Sequence, residues 1–153
     1  MRDLQAIVAA YEQIDTYLES LRDAAGIDEE NRDRIAQTQR INDHAYFVLA
    51  WGQFESDIED ACREAIRRGQ AQQDWRSRRA WSLYNPDDRR LSGLSFEDRL
   101  ALVLEKGGKH WRQAVQHYSV RNQVAHGTLR SERIDVSSVV QEFYLIQSSL
   151  TRS

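Results

Sequence analysis

Residues 45–69, AYFVLAWGQFESDIEDACREAIRRG, decide the fold. Phe47, Trp51, Phe54, Ile58 and Cys62 recur at steps of three and four, with Val48, Ala65 and Ile66 on the flanks. That period makes one side of a helix apolar and leaves the acids and arginines to the other side. Glu55 follows Trp51 by four residues and precedes Ile58 by three, so it borders the apolar stripe instead of standing on the open face. Gly52 interrupts the pattern at about 1 kcal/mol relative to alanine. Its place fits either a close approach by another helix or a glycine that is simply tolerated. Upstream, Asp28, Glu29 and Glu30 suit a first helical turn, where free amides carry partial positive charge. One long helix is therefore expected from near Asp28 to about Arg68.

On the N-terminal side, Leu4, Ile7, Val8, Tyr11, Ile14, Leu18 and Leu21 give a helical period over residues 3–24, closed by Gly26. On the C-terminal side, residues 70–95 are the least regular. Trp75, Trp81, Leu83 and Tyr84 are expected to anchor a short helix, and NPDD marks a turn. Ser95 and Asp98 stand in capping-box positions before Phe96, Leu100, Val103 and Leu104, and Gly107 with Gly108 stops that helix. A further helix spans about 109–126, with Trp111, Val115 and Tyr118 on one face and Gly127 at its end. A terminal helix begins near Asp135 and buries Val136, Val139, Val140, Phe143, Ile146 and Leu150. The expected architecture is an all-α, up-and-down bundle of four main helices plus one or more short ones. The chain reads as a single domain, 1–153, with an arginine-rich insertion around 70–95.

Composition narrows the class of function. With 41% apolar and 29% charged residues, one Pro and seven Gly, the 153-residue chain is neither collagenous nor extensively disordered. Cys62 is the only cysteine, which excludes an intramolecular disulfide and a cysteine zinc cluster. No apolar run approaches the ~20 residues of a membrane span, and the start of the chain lacks a signal peptide's apolar region, so a cytoplasmic protein without membrane partners is expected. Charge is uneven: residues 1–60 hold five basic and fourteen acidic groups, whereas residues 61–90 hold eight arginines and four acids. The first part would repel a polyanion. Arg63, Arg67, Arg68, Arg76, Arg78 and Arg79, with Arg89 and Arg90, are the candidate RNA-binding residues, although an arginine-rich surface or a dimer rim has the same composition. The tryptophans read as core or interface anchors ahead of base-stacking platforms.

The polar run RNQVAHG, residues 121–127, holds the chemistry. Asn122 and His126 are four apart and share a helical face about 6 Å apart along the axis. Arg121 lies about 140° around an ideal helix from His126. An imidazole can exchange a proton near neutral pH, activating a ribose 2′-hydroxyl or protonating a departing 5′-oxygen. A guanidinium can set two donors against a phosphate whose charge grows in the transition state. Asn122 can orient the imidazole or donate to phosphate. The same spacing also fits a histidine that stabilises a helix end beside an arginine in a surface ion pair. His44, His110 and His117 lack an Arg-Asn neighbour and read as ordinary surface or partly buried histidines.

RNQVAHG resembles the Arg-x4-6-His signature of HEPN domains, in its Arg-Asn-x-x-x-His form, and FVLAWGQFESDIEDACREA resembles the family's acidic-residue helix. The resemblance covers roughly residues 40–150. It implies a metal-independent endoribonuclease with no cofactor, such as occurs in toxin–antitoxin systems, phage defence and RNA processing. It implies a homodimer that brings two signature motifs into one cleft, and a possible cognate antitoxin or regulatory protein as a further partner. Carried over, Arg121 and His126 are catalytic, Asn122 is the polar residue after the arginine, and Glu55 is the acidic helper. One subgroup carries a tyrosine shortly after the histidine that a partner nucleotidyltransferase modifies; Gly127, Thr128 and Leu129 stand there in this chain. A non-catalytic member that keeps the helical fold for protein interaction or RNA binding is the alternative.

Overall fold

A computed structural model describes residues 2–24, 26–88, 91, 93–127 and 132–150. The fold is all-α, an up-and-down multi-helix bundle, and no strand occurs among the described residues. In chain order the helices are α1 (Arg2–Arg22), α2 (Glu29–Gln70), α3 (Trp75–Trp81), α4 (Phe96–Val103), α5 (Lys109–Ala125) and α6 (Val136–Leu150). Among the described residues no helix is long and apolar enough to cross a membrane. Several boundaries have a local cause. Asp28 accepts from the Asn31 amide at 2.8 Å ahead of α2, Ser95 and Asp98 close the expected capping box on α4, and Asp135 accepts from the Ser138 amide at 3.0 Å on α6. Gly127 leaves α5 with φ of +81°, the left-handed region that side chains disfavour. Gly26 and Gly107 also have positive φ, +83° and +79°, but each stands beyond a helix that has already ended, α1 at Arg22 and α4 at Val103, where Leu104 turns extended, so Gly107 does not stop α4 as expected.

The chain divides into two compact units, residues 1–53 with 117–143 and residues 54–116 with 144–153. In the first unit, Leu4, Tyr11 and Leu18 of α1 are buried, as are Phe47, Ala50 and Trp51 of α2 and Val136, Val140 and Phe143 of α6. The Trp51 indole lies 5.9 Å from the Tyr118 ring and meets Phe143 edge-on at 6.0 Å. Ile14 and Leu21, expected on the buried side of α1, are 40% and 37% exposed, so the burying stripe is the narrower Leu4–Tyr11–Leu18 row. Gly52 resolves the choice left by its spacing: a Cβ there would meet nothing within 4 Å, so among the described residues no helix closes on it.

In the second unit, Phe54, Ile58, Cys62 and Ile66 of α2 are completely buried, together with Phe96 and Leu100 of α4, Ala114 of α5 and Ile146 of α6. The Cys62 thiol donates to the Arg99 carbonyl at 3.1 Å. The 70–95 segment contains α3, capped by Asp74, which accepts from the Ser77 amide at 3.0 Å. Only part of the expected anchor holds. Trp81 lies against Gly69 so closely that an added Cβ would come within 2.2 Å of its ring, and the Gln70 amide donates to the Trp81 and Tyr84 carbonyls at 3.1 and 2.8 Å. Trp75 and Leu83 do not anchor the segment: they are 57% and 83% exposed.

Candidate functional site

The signature run occupies the last turn of α5 in the first unit. Arg121 and Asn122 are half-buried, and the Arg121 guanidinium donates to Asn122 Oδ1 at 3.1 Å. That bond engages one of the five donors of the Arg121 guanidinium. His126 is the first residue past α5; its amide donates to the Asn122 carbonyl at 3.0 Å, and its side chain is exposed. The Gly127 amide donates to the Val124 carbonyl at 3.0 Å, and its left-handed φ turns the chain away from the helix axis there. The histidine thus stands at a fixed helix end with its ring in solvent. Thr128 and Leu129 lie outside the described residues.

Glu55 belongs to the second unit and is half-buried. Its Oε1 accepts from Arg99 Nη2 at 3.2 Å, and Arg99 Nη1 donates to Glu59 at 2.6 Å. Glu59 in turn accepts from Arg63 at 3.2 Å, and Arg63 also donates to Asp60 at 2.9 Å. An alternating row of carboxylates and guanidinium groups therefore runs along this face of α2. Arg99 received no role from the sequence, since nothing in the chain's local pattern pairs it with a glutamate 44 positions away.

The candidate RNA-binding arginines divide by what they already hold. Arg63 is engaged with Glu59 and Asp60, and Arg67 with Asp87 at 3.1 Å. Arg78 donates to the Gln72 carbonyl at 3.2 Å. Arg68, Arg76 and Arg79 are exposed and form no ion pair among the described residues, and Arg79 lies over the Trp75 ring at 5.4 Å from its centroid. Arg89 and Arg90 lie outside the described residues.

Of the remaining histidines, His44 and His117 have identifiable partners, whereas the buried Nδ1 of His110 has no hydrogen-bond partner among the described residues. His44 is buried, with Nδ1 against the Arg40 carbonyl, and His117 Nε2 meets Glu142 Oε2 at 2.7 Å with its ring edge-on to Phe143. A second ionic centre, unannounced by the sequence, lies in the first unit: Arg133 reaches the fully buried Asp43, Asp15 and Glu19, while the Tyr11 hydroxyl donates to Asp43 at 3.1 Å. Burial, then the Asp43 and Asp15 carboxylates, push the Tyr11 phenol far above its ordinary pKa. The cleft beside this centre, about 350 Å³, is lined by Glu12, Asp15 and Asp135 with Arg133, a poor match to a polyanion. No family model, curated protein or solved structure matches this chain.

Proposed function

We propose that the chain is a HEPN-type, metal-independent endoribonuclease working as a homodimer. The observation that supports this reading is the Arg121–Asn122 pair, bonded at 3.1 Å, four residues before an exposed His126 at the end of α5. In the proposed reaction an imidazole takes the proton from a ribose 2′-hydroxyl as its oxygen attacks the adjacent phosphorus. The phosphorus–5′-oxygen bond breaks, and an imidazolium, supplied by the second protomer's copy of His126, protonates the departing oxygen. The products are a 2′,3′-cyclic phosphate and a 5′-hydroxyl. Arg121 balances the charge that grows on the phosphate oxygens. Toxin or defence activity, with a cognate antitoxin or regulatory protein, belongs to the same proposal, as does a cytoplasmic site of action.

The deciding experiment incubates wild type, R121A and H126A with structured and single-stranded RNAs in excess chelator, followed by end-group analysis. Cleavage lost in both variants, with cyclic-phosphate ends in the wild type, supports the enzyme. Intact RNA bound equally by all three supports the alternative, a non-catalytic RNA-binding module. The shared cleft is tested separately by sedimentation and initial rates. A stable monomer with undiminished specific activity rejects it.

A further inference from the structure

We infer that α3 is a docking surface for single-stranded RNA, with the Trp75 indole as a base-stacking platform and Arg76, Arg78 and Arg79 as phosphate contacts. The structure of the segment carries this. Residues 71–80 are all exposed, and α3 has no buried residue, yet it contains a tryptophan that is 57% exposed. An isolated exposed aromatic is ordinary. Here it shares a seven-residue helix with three arginines and no acid. The helix is held from behind: Trp81 lies on Gly69, and Gln70 grips the Trp81 and Tyr84 carbonyls. Trp81 serves the fold, and Trp75 is left presented.

The chemistry of the surface selects the occupant. Arg79 sits over the Trp75 ring at 5.4 Å, so a flat cation and a flat π-face are offered within one helical turn. A nucleotide supplies both complements, a base that stacks and a phosphate that pairs with guanidinium. An acidic peptide supplies the charge without the stacking face, and a duplex hides its base faces inside the helix. The choice of RNA over DNA rests on the ribonuclease reading, since neither indole nor guanidinium here reads a 2′-hydroxyl. The two readings fail separately, because binding is measured apart from cleavage.

The experiment uses the full chain in an H126A background, so that the probe stays intact. The probe is a fluorescently labelled twelve-nucleotide oligoadenylate RNA, read by anisotropy. Changing Trp75 to alanine is expected to weaken binding about tenfold, the effect of losing one stacked base, and changing it to tyrosine to restore most of it. Replacing Arg76 or Arg79 by alanine should each lower the slope of log K against log salt by about 0.7. Circular dichroism should not change, as α3 buries nothing. Equal affinity of the alanine variant at Trp75, equal binding of a blunt RNA duplex, tighter binding of polyglutamate, or no RNA binding by the parent each overturns the proposal. Trp75-dependent binding in a wild-type protein that leaves RNA uncut sustains the platform and removes the ribonuclease. Cleavage with Trp75-independent binding does the reverse.

Discussion

Arg133 Nε donates to Asp43 Oδ2 at 2.9 Å across 90 positions of sequence, and the carboxylate it meets is completely buried. The same guanidinium bonds Asp15, so one side chain fastens the segment before α6 to α1 and α2. Changing Arg133 to alanine takes the cation away from the buried Asp43 carboxylate and leaves it the Tyr11 hydroxyl as a donor. Breaking a buried pair costs about 3–5 kcal/mol. The Arg133 side chain is 36% exposed, so solvent screening reduces this to about 2–3 kcal/mol. Thermal denaturation should show Tm lower by roughly 4–12 °C, whereas R133K retains part of the difference. An unchanged Tm would remove the centre from the account of stability.

At the signature, His126 is exposed and Arg121 touches only its neighbour Asn122 among the hydrogen bonds described. H126A should therefore fold and melt like wild type while losing about 10²–10⁴-fold in cleavage rate, the loss expected for a general acid or base. R121K should also fall, because an ammonium cannot present two planar donors to phosphate. Glu55 behaves differently. Its bond to Arg99 predicts that E55A lowers Tm, so only a loss of rate at temperatures well below that Tm supports its helper role.

The close fit of Trp81 on Gly69 makes G69A informative. A Cβ at 2.2 Å from the indole forces Trp81 away and loosens the C-terminal end of α3. Limited trypsin digestion should then cut at Arg76, Arg78 or Arg79 several-fold faster than in wild type, with global Tm little changed. Equal digestion rates would show that α3 is held by something other than that contact.

Burial pushes the Cys62 thiol up to about 12, with nearby Glu59 adding to it. A thiol-specific reagent at pH 8 should leave native Cys62 unmodified and react promptly in denaturant. The thiol's contribution to stability is full below the unfolded thiol pKa, about 8.5, and declines as pH rises toward 12. The cap carboxylates Asp74, Asp98 and Asp135 are held below their ordinary range, chiefly by hydrogen bonds from Ser77, Ser95 and Ser138. Their contribution is full above about pH 3.9 and is lost as pH falls through the lower folded values.

Local patterns carried most of the fold. Helix ends were legible because capping is local chemistry: Ser95 with Asp98 and Gly127 act within three or four residues of themselves. The α2 stripe was legible because five residues at helical spacing leave one face to bury. Ile14 and Leu21 went the other way, since periodicity gives the apolar side of α1 but not how wide a strip its neighbours cover. Arg99 and Arg133 were illegible for a related reason: a guanidinium finds a carboxylate 40 or more positions away only after the chain has folded. Trp75 and Trp81 look alike in sequence. Gly69, by offering bare backbone to one of them, separates their fates.

Gly52 offers its own bare backbone to nothing within 4 Å. In the middle of a 42-residue helix, this gives α2 a residue with weak helical preference and no packing to offset it. The amide protons of Gly52 and the residue after it should exchange with deuterium sooner than those at Phe47, five residues before, and Ile58, six residues after, both sealed from solvent. Faster exchange there would make the middle of α2 the place where the helix opens, far from both of its ends.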